Sequence, residues 1–143
     1  MGILGRFFSG KQDYPPLDSS ASAAKQLESV RSSLEKLADT TKDPIEIVPA
    51  EDSVYILIGK PPKKFGIVWI EDGDKIVNFK SLVNERGLPE NKLIHLSEEL
   101  RKAYIAHKDE PRYVTKIRDR AVVVIPSASL LKSLKGVIEE TVS

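Results

Sequence analysis

Three short stretches of this chain are apolar at every position. They are VYILI at Val54–Ile58, IVWI at Ile67–Ile70 and AVVVI at Ala121–Ile125. Successive side chains of a β-strand point to opposite faces, so a sheet with one wet face alternates apolar and polar residues. An unbroken apolar run marks a strand covered on both sides. Either helices lie on both faces of the sheet, or a partner covers one face. A homodimer would serve. The helical patterns elsewhere in the chain favour the first arrangement.

Those patterns are readable one by one. Leu27, Val30, Leu34 and Leu37 recur at i, i+3, i+7 and i+10, which is a single helical stripe. It predicts a helix capped by Ser19 or Ser20 and running to about Asp39, broken by Thr40–Pro44. A short strand at Ile45–Val48 stops at Pro49. Val54–Ile58, Gly66–Ile70 and Lys75–Phe79 then read as a meander, its last turn formed by EDGD at Glu71–Asp74 with Gly73 free to take positive φ. A short helical turn, SLVNERG, ends at Gly87, a good C-terminal cap. Pro89 opens a longer helix to about His107, with Leu93, Leu96, Leu100 and Tyr104 on one face. Strands at Arg112–Ile117 and Ala121–Ile125 pair through Arg118–Arg120, and Pro126–Ser127 starts a last helix. The order α-β-β-β-β-α-β-β-α predicts an α+β fold: a mainly antiparallel sheet of about five to six strands packed with three longer helices.

Residues 9–20, SGKQDYPPLDSS, are rich in turn formers and read as a linker. The expected division is a flexible N-terminal arm and linker over residues 1–18, then a single α+β domain over 19–143. The fractions of 41% hydrophobic and 30% charged residues describe a soluble globular protein.

Composition also removes chemistry. There are no cysteines, so disulfides, thiol catalysis and thiolate metal sites are excluded. A net charge of +1 argues against a protein that follows a phosphate backbone, and no RNP or zinc-knuckle pattern occurs, so specific nucleic-acid binding is not expected. No apolar run approaches the ~20 residues needed to cross a bilayer. The N-terminus, MGILGRFFSGKQ, is a poor signal peptide, and Arg6 stands where the myristoylation pattern wants Ser or Thr. The default compartment is the cytoplasm.

LIGKPPKKFG, Leu57–Gly66, is the most distinctive motif. It fails as a phosphate-binding loop. Six residues separate its glycines, a strand and not a helix follows, and two prolines lack the N–H groups such a cradle is made of. Two readings remain. One is a stiff hairpin kept soluble by its lysines. The other is an anion-binding loop with charge from Lys60, Lys63 and Lys64 and a stacking or apolar surface from Phe65. Of the other aromatic candidates for stacking, Trp69 sits inside an apolar strand and reads as core.

Arg112, Lys116, Arg118 and Arg120 share a parity, so on one extended strand they would lie on one face. That is either a charge-protected edge strand or a basic surface for an acidic protein or nucleic acid. His95 and His107 fall twelve residues apart on one predicted helix, ~18 Å along its axis, and cannot share a metal. No nucleophile elbow, metal-binding motif or acid–base pair is visible, so no catalytic residue, metal or cofactor is expected. Finally, Ile3, Leu4, Phe7 and Phe8 would gather on one side of a short helix, suited to docking on a partner groove or a membrane surface.

The expectation is a small non-enzymatic binding or protein-interaction module. It would have an apolar N-terminal arm and a basic loop, and would engage a protein partner, itself in a homodimer, or a membrane periphery. The alternative is a small anionic ligand or nucleotide bound at Gly59–Gly66, in an enzyme or otherwise.

Overall fold

The computed structural model describes residues 14–142, apart from Asp52, Pro62, Asp72 and Gly73. Helices α1 (Ser22–Ser29) and α2 (Arg31–Thr40) precede strands β1 (Ile45–Pro49), β2 (Ser53–Lys60), β3 (Lys64–Glu71) and β4 (Lys75–Asn78). Helices α3 (Phe79–Arg86) and α4 (Glu90–Ala106) follow, then β5 (Tyr113–Ile117), β6 (Arg120–Val124) and α5 (Ala128–Val142). The fold is α+β, with six strands in the order β4-β3-β2-β1-β6-β5. β1 and β6 are parallel, and every other neighbouring pair is antiparallel.

Helices cover both faces, as the unbroken apolar runs require. On one face Leu57, Ile67, Trp69 and Val123 pack with Leu82, Leu96, Leu100 and Leu134 from α3, α4 and α5. On the other, Ile47, Ile56, Ile70 and Val124 pack with Leu27 of α1, Leu34 of α2 and Val30 between them. Alternate residues of the unbroken runs in β2, β3 and β6 therefore feed two separate cores, which is why those runs are apolar at every position.

Several boundaries differ from expectation for local reasons. The first helix is two. Ser29 Oγ donates to the carbonyl of Gln26 at 2.7 Å, and Val30 leaves helical geometry at φ −119°, its N–H bonded to Leu27 instead. A serine hydroxyl competing for backbone partners is a known cause of such breaks. Neither Ser19 nor Ser20 caps α1. Its N-cap is Ala21, and Asp18 instead accepts from the N–H and hydroxyl of Ser20. β4 stops at Asn78, one residue early, because Asn78 and Ser81 form a reciprocal capping box that opens α3 at Phe79. With the expected helical turn now a full helix, the three longer helices become five among the described residues. Gly87 ends α3 at φ 64°, as predicted.

The stretch read as linker runs, in its last residues, along the sheet. Val114 donates to Pro15 O at 2.9 Å and Leu17 donates to Val114 O at 2.8 Å, placing Pro15–Leu17 parallel to the edge strand β5.

Candidate functional site

The β2–β3 hairpin carries the site. Pairing continues to its tip, with Ile58 opposite Gly66, Gly59 opposite Phe65 and Lys60 opposite Lys64. Beyond that last pair the turn is closed by Lys63 N–H donating to Lys60 O at 3.1 Å. The loop expected over Gly59–Gly66 is thus largely ladder, and Pro61 makes the short turn stiff. Gly59 has a specific job. Its φ is 123°, and a Cβ there would lie 2.7 Å from Lys64 O and 3.0 Å from Phe65 Cα. No other residue type fits at that point without strain.

Parity then sorts the side chains. Gly59 and Phe65 belong to the α4 face. Phe65 lies not on a loop but in β3, half-buried, its ring centroid 6.3 Å from that of Tyr104. Ile58, Gly66, Lys60 and Lys64 belong to the opposite face. Two lysines directly opposite one another disfavour the strand pair unless something negative sits near them. Lys60, Lys63 and Lys64 form no ion pair among the described residues. Beside them opens a cleft of about 540 Å³ lined by Asp43, Ile58, Gly59, Lys60, Lys64, Phe65 and Gly66.

The second basic group does not form the predicted single face. The chain reverses at Arg118, which takes φ 57°, so parity counted along one strand fails beyond Ile117. Arg118 pairs with Asp39 at 3.2 Å. Arg120 stands on β6 opposite Ile117, on the α1–α2 face, and donates to the carbonyls of Ala38, Thr41 and Asp43. It closes the end of α2 and fixes the loop that carries Asp43. Arg112 lies before β5, over the Tyr104 ring at 5.5 Å, and donates to the carbonyls of Lys108 and Glu110. Lys116 is exposed on the edge strand. From β5 to β2 there are three strand steps, roughly 14 Å at ~4.8 Å each, so Arg118 shares an end of the sheet with the hairpin without joining its lysines, and Arg112 lies at the other end.

One polar cluster was not anticipated. Glu46, in the middle of the apolar strand β1, is only 9% exposed and accepts a 2.8 Å hydrogen bond from Tyr104 Oη. Burial, reinforced by the Glu46 charge, pushes the Tyr104 hydroxyl up to about 12. A carboxylate between Ile45 and Ile47 was the available signal, since a buried acid needs a partner. At the other end of β3, Glu71 is not simply a solvated turn acid: it accepts from Trp69 Nε1 at 2.7 Å and meets Arg86 at 3.4 Å. Trp69 itself is 2% exposed, the core residue it was read to be.

Among the described residues no group of three or more His, Asp or Glu is placed to hold a metal, and no helix is long and apolar enough to cross a membrane. His107 ends α4, with Nδ1 2.8 Å from Ala103 O, while His95 is exposed on the same helix. Ile3, Leu4, Phe7 and Phe8 lie outside the described residues. No protein-family model, curated protein or solved structure matches this chain.

Proposed function

We propose that this protein is a small non-enzymatic binding module that captures an acidic protein partner with the tip of its β2–β3 hairpin. The observation that carries the reading is the cross-strand pair Lys60–Lys64, with Lys63 in the turn between them, none of the three ion-paired among the described residues. A stiff turn presents these cations with little freedom left to lose on binding. Residues 1–8, with Ile3, Leu4, Phe7 and Phe8, would supply a second, apolar contact from the arm whose root lies along β5.

The test is a binding isotherm with an acidic peptide at two salt concentrations. Replacing Lys60, Lys63 and Lys64 by Gln is expected to weaken binding at least tenfold and to flatten its salt dependence. Equal affinity in the triple variant sinks the reading. Removing residues 1–12 is expected to leave folding intact and to weaken partner capture; full capture by the shortened chain would remove the arm from the proposal.

A second reading has one observation in its favour. The cleft beside the lysines, about 540 Å³, is large enough for a small anionic ligand or a mononucleotide. Saturable mononucleotide binding lost in the same triple variant, with no peptide binding, would select it.

A further inference from the structure

The side chains along this face of the hairpin form a ladder with one rung incomplete. The cross-strand pairs are Val54–Ile70, Ile56–Val68, Ile58–Gly66 and Lys60–Lys64. The first two are buried beneath α1 and α2. The last is the charged pair. Between them Ile58 is half-buried, and its partner has no side chain; a Cβ on Gly66 would meet nothing within 4 Å. The result is an apolar notch floored by Ile58, one rung from the two lysines and open to the cleft that Asp43 borders.

Resting on the proposed role of the lysine hairpin, we infer that the partner segment is extended and carries an acidic residue two positions from an aliphatic one. Successive rungs on one face are two residues apart, ~6.6–6.8 Å along the strand. In an extended peptide, side chains at i and i+2 point the same way at the same spacing. An acidic side chain seated between Lys60 and Lys64 therefore brings an aliphatic side chain at i+2 over Ile58, into the space Gly66 leaves. The lysines select charge, and the notch selects a branched apolar side chain over a polar one. Asp43 at the rim disfavours a second acid in that position.

Two synthetic peptides distinguish the notch from simple charge attraction: acetyl-Glu-Thr-Glu-Thr-Leu-Thr-amide and the same peptide with Ser in place of Leu. The leucine peptide is expected to bind the full chain about tenfold more tightly, the order expected for partial burial of one leucine side chain. Gly66→Leu fills the notch and is expected to erase that preference while leaving the salt-dependent binding of both peptides. Its fold is checked by circular dichroism and thermal midpoint. Should that variant not fold, Ile58→Ala, which removes the floor, is expected to reduce the preference instead. Equal binding of the two peptides to the wild type overturns the notch and leaves the charge reading standing. Preference for leucine that survives in both Gly66→Leu and Ile58→Ala also overturns it. Failure of both peptides to bind, or binding unaffected by Lys60→Gln with Lys64→Gln, overturns both.

Discussion

Gly59 and Tyr104 each hold one side of the hairpin's base in place. At Gly59 the positive φ and the 2.7 Å approach to Lys64 O leave no room for a side chain, and the vacant position is covered by Phe65 from the opposite strand. Gly59→Ala is expected to destabilise the fold by about 2 kcal/mol or more, from strained backbone plus a steric clash. A urea titration would read this as a lower midpoint at unchanged slope. Tyr104 supports Phe65 and satisfies Glu46. Its Oη hydrogen bond at 2.8 Å reaches a carboxylate on a central strand, so Tyr104→Phe is expected to cost about 1–3 kcal/mol by leaving that acceptor without its donor. The pH dependence has a definite sign. The hydroxyl titrates near 12 in the folded protein, against about 10 for an unfolded tyrosine. Folding therefore favours the protonated form. The associated stability is fully present below pH ~10 and is lost as pH rises towards 12. The difference between wild-type and Tyr104→Phe stabilities, measured from pH 8 to 12, should shrink across that window. A difference that stays constant would show that Tyr104 does not titrate as described.

Strands and helices differ in how openly the sequence declares them. The unbroken runs of β2, β3 and β6 report two-sided burial, and the meander of β2, β3 and β4 is readable from adjacency and turn residues. What remained hidden needed register. The notch exists only because Gly66 falls opposite Ile58, and one residue of slip would place it on the other face. The parity argument for Arg112, Lys116, Arg118 and Arg120 failed for a related reason, because parity holds within a strand and is reset at a turn. The break at Val30 coincides with a hydroxyl bond from Ser29, and no glycine or proline announces it. Caps were partly legible. Ser127, foreseen at the start of the last helix, accepts from Leu130 N–H at 3.0 Å, and its hydroxyl also donates to Glu110. It thus ties the start of α5 to the loop before β5. Ser127→Ala is expected to cost about 1 kcal/mol or somewhat more, the ordinary value of a cap plus a lost charged contact. A thermal midpoint that does not move would mean that neither bond contributes.

Seen as a body, the protein is electrically lopsided although its net charge is only +1. Because β1 and β6 run parallel, the α2–β1 loop, the β2–β3 turn and the β5–β6 turn all sit at one end of the sheet. That end carries Lys42, Lys60, Lys63, Lys64, Arg118 and Arg120 against Asp39, Asp43 and Asp119. The loops at the opposite end carry Glu51, Asp74, Asp109 and Glu110, with Lys108 and Arg112 among them. Within the basic end Arg118 and Arg120 are committed to Asp39 and to backbone carbonyls, so the cations available to a partner concentrate on the hairpin. Such a field orients an approaching acidic segment before contact and weakens as salt rises. The decisive observation is a map of amide chemical shifts in the labelled full chain as the leucine-containing acidic peptide is added. Perturbations centred on Asp43 and on Ile58 to Gly66, fading with added salt, are the predicted result. Perturbations confined to the opposite end of the sheet, or none at millimolar peptide, would contradict capture by the lysine hairpin.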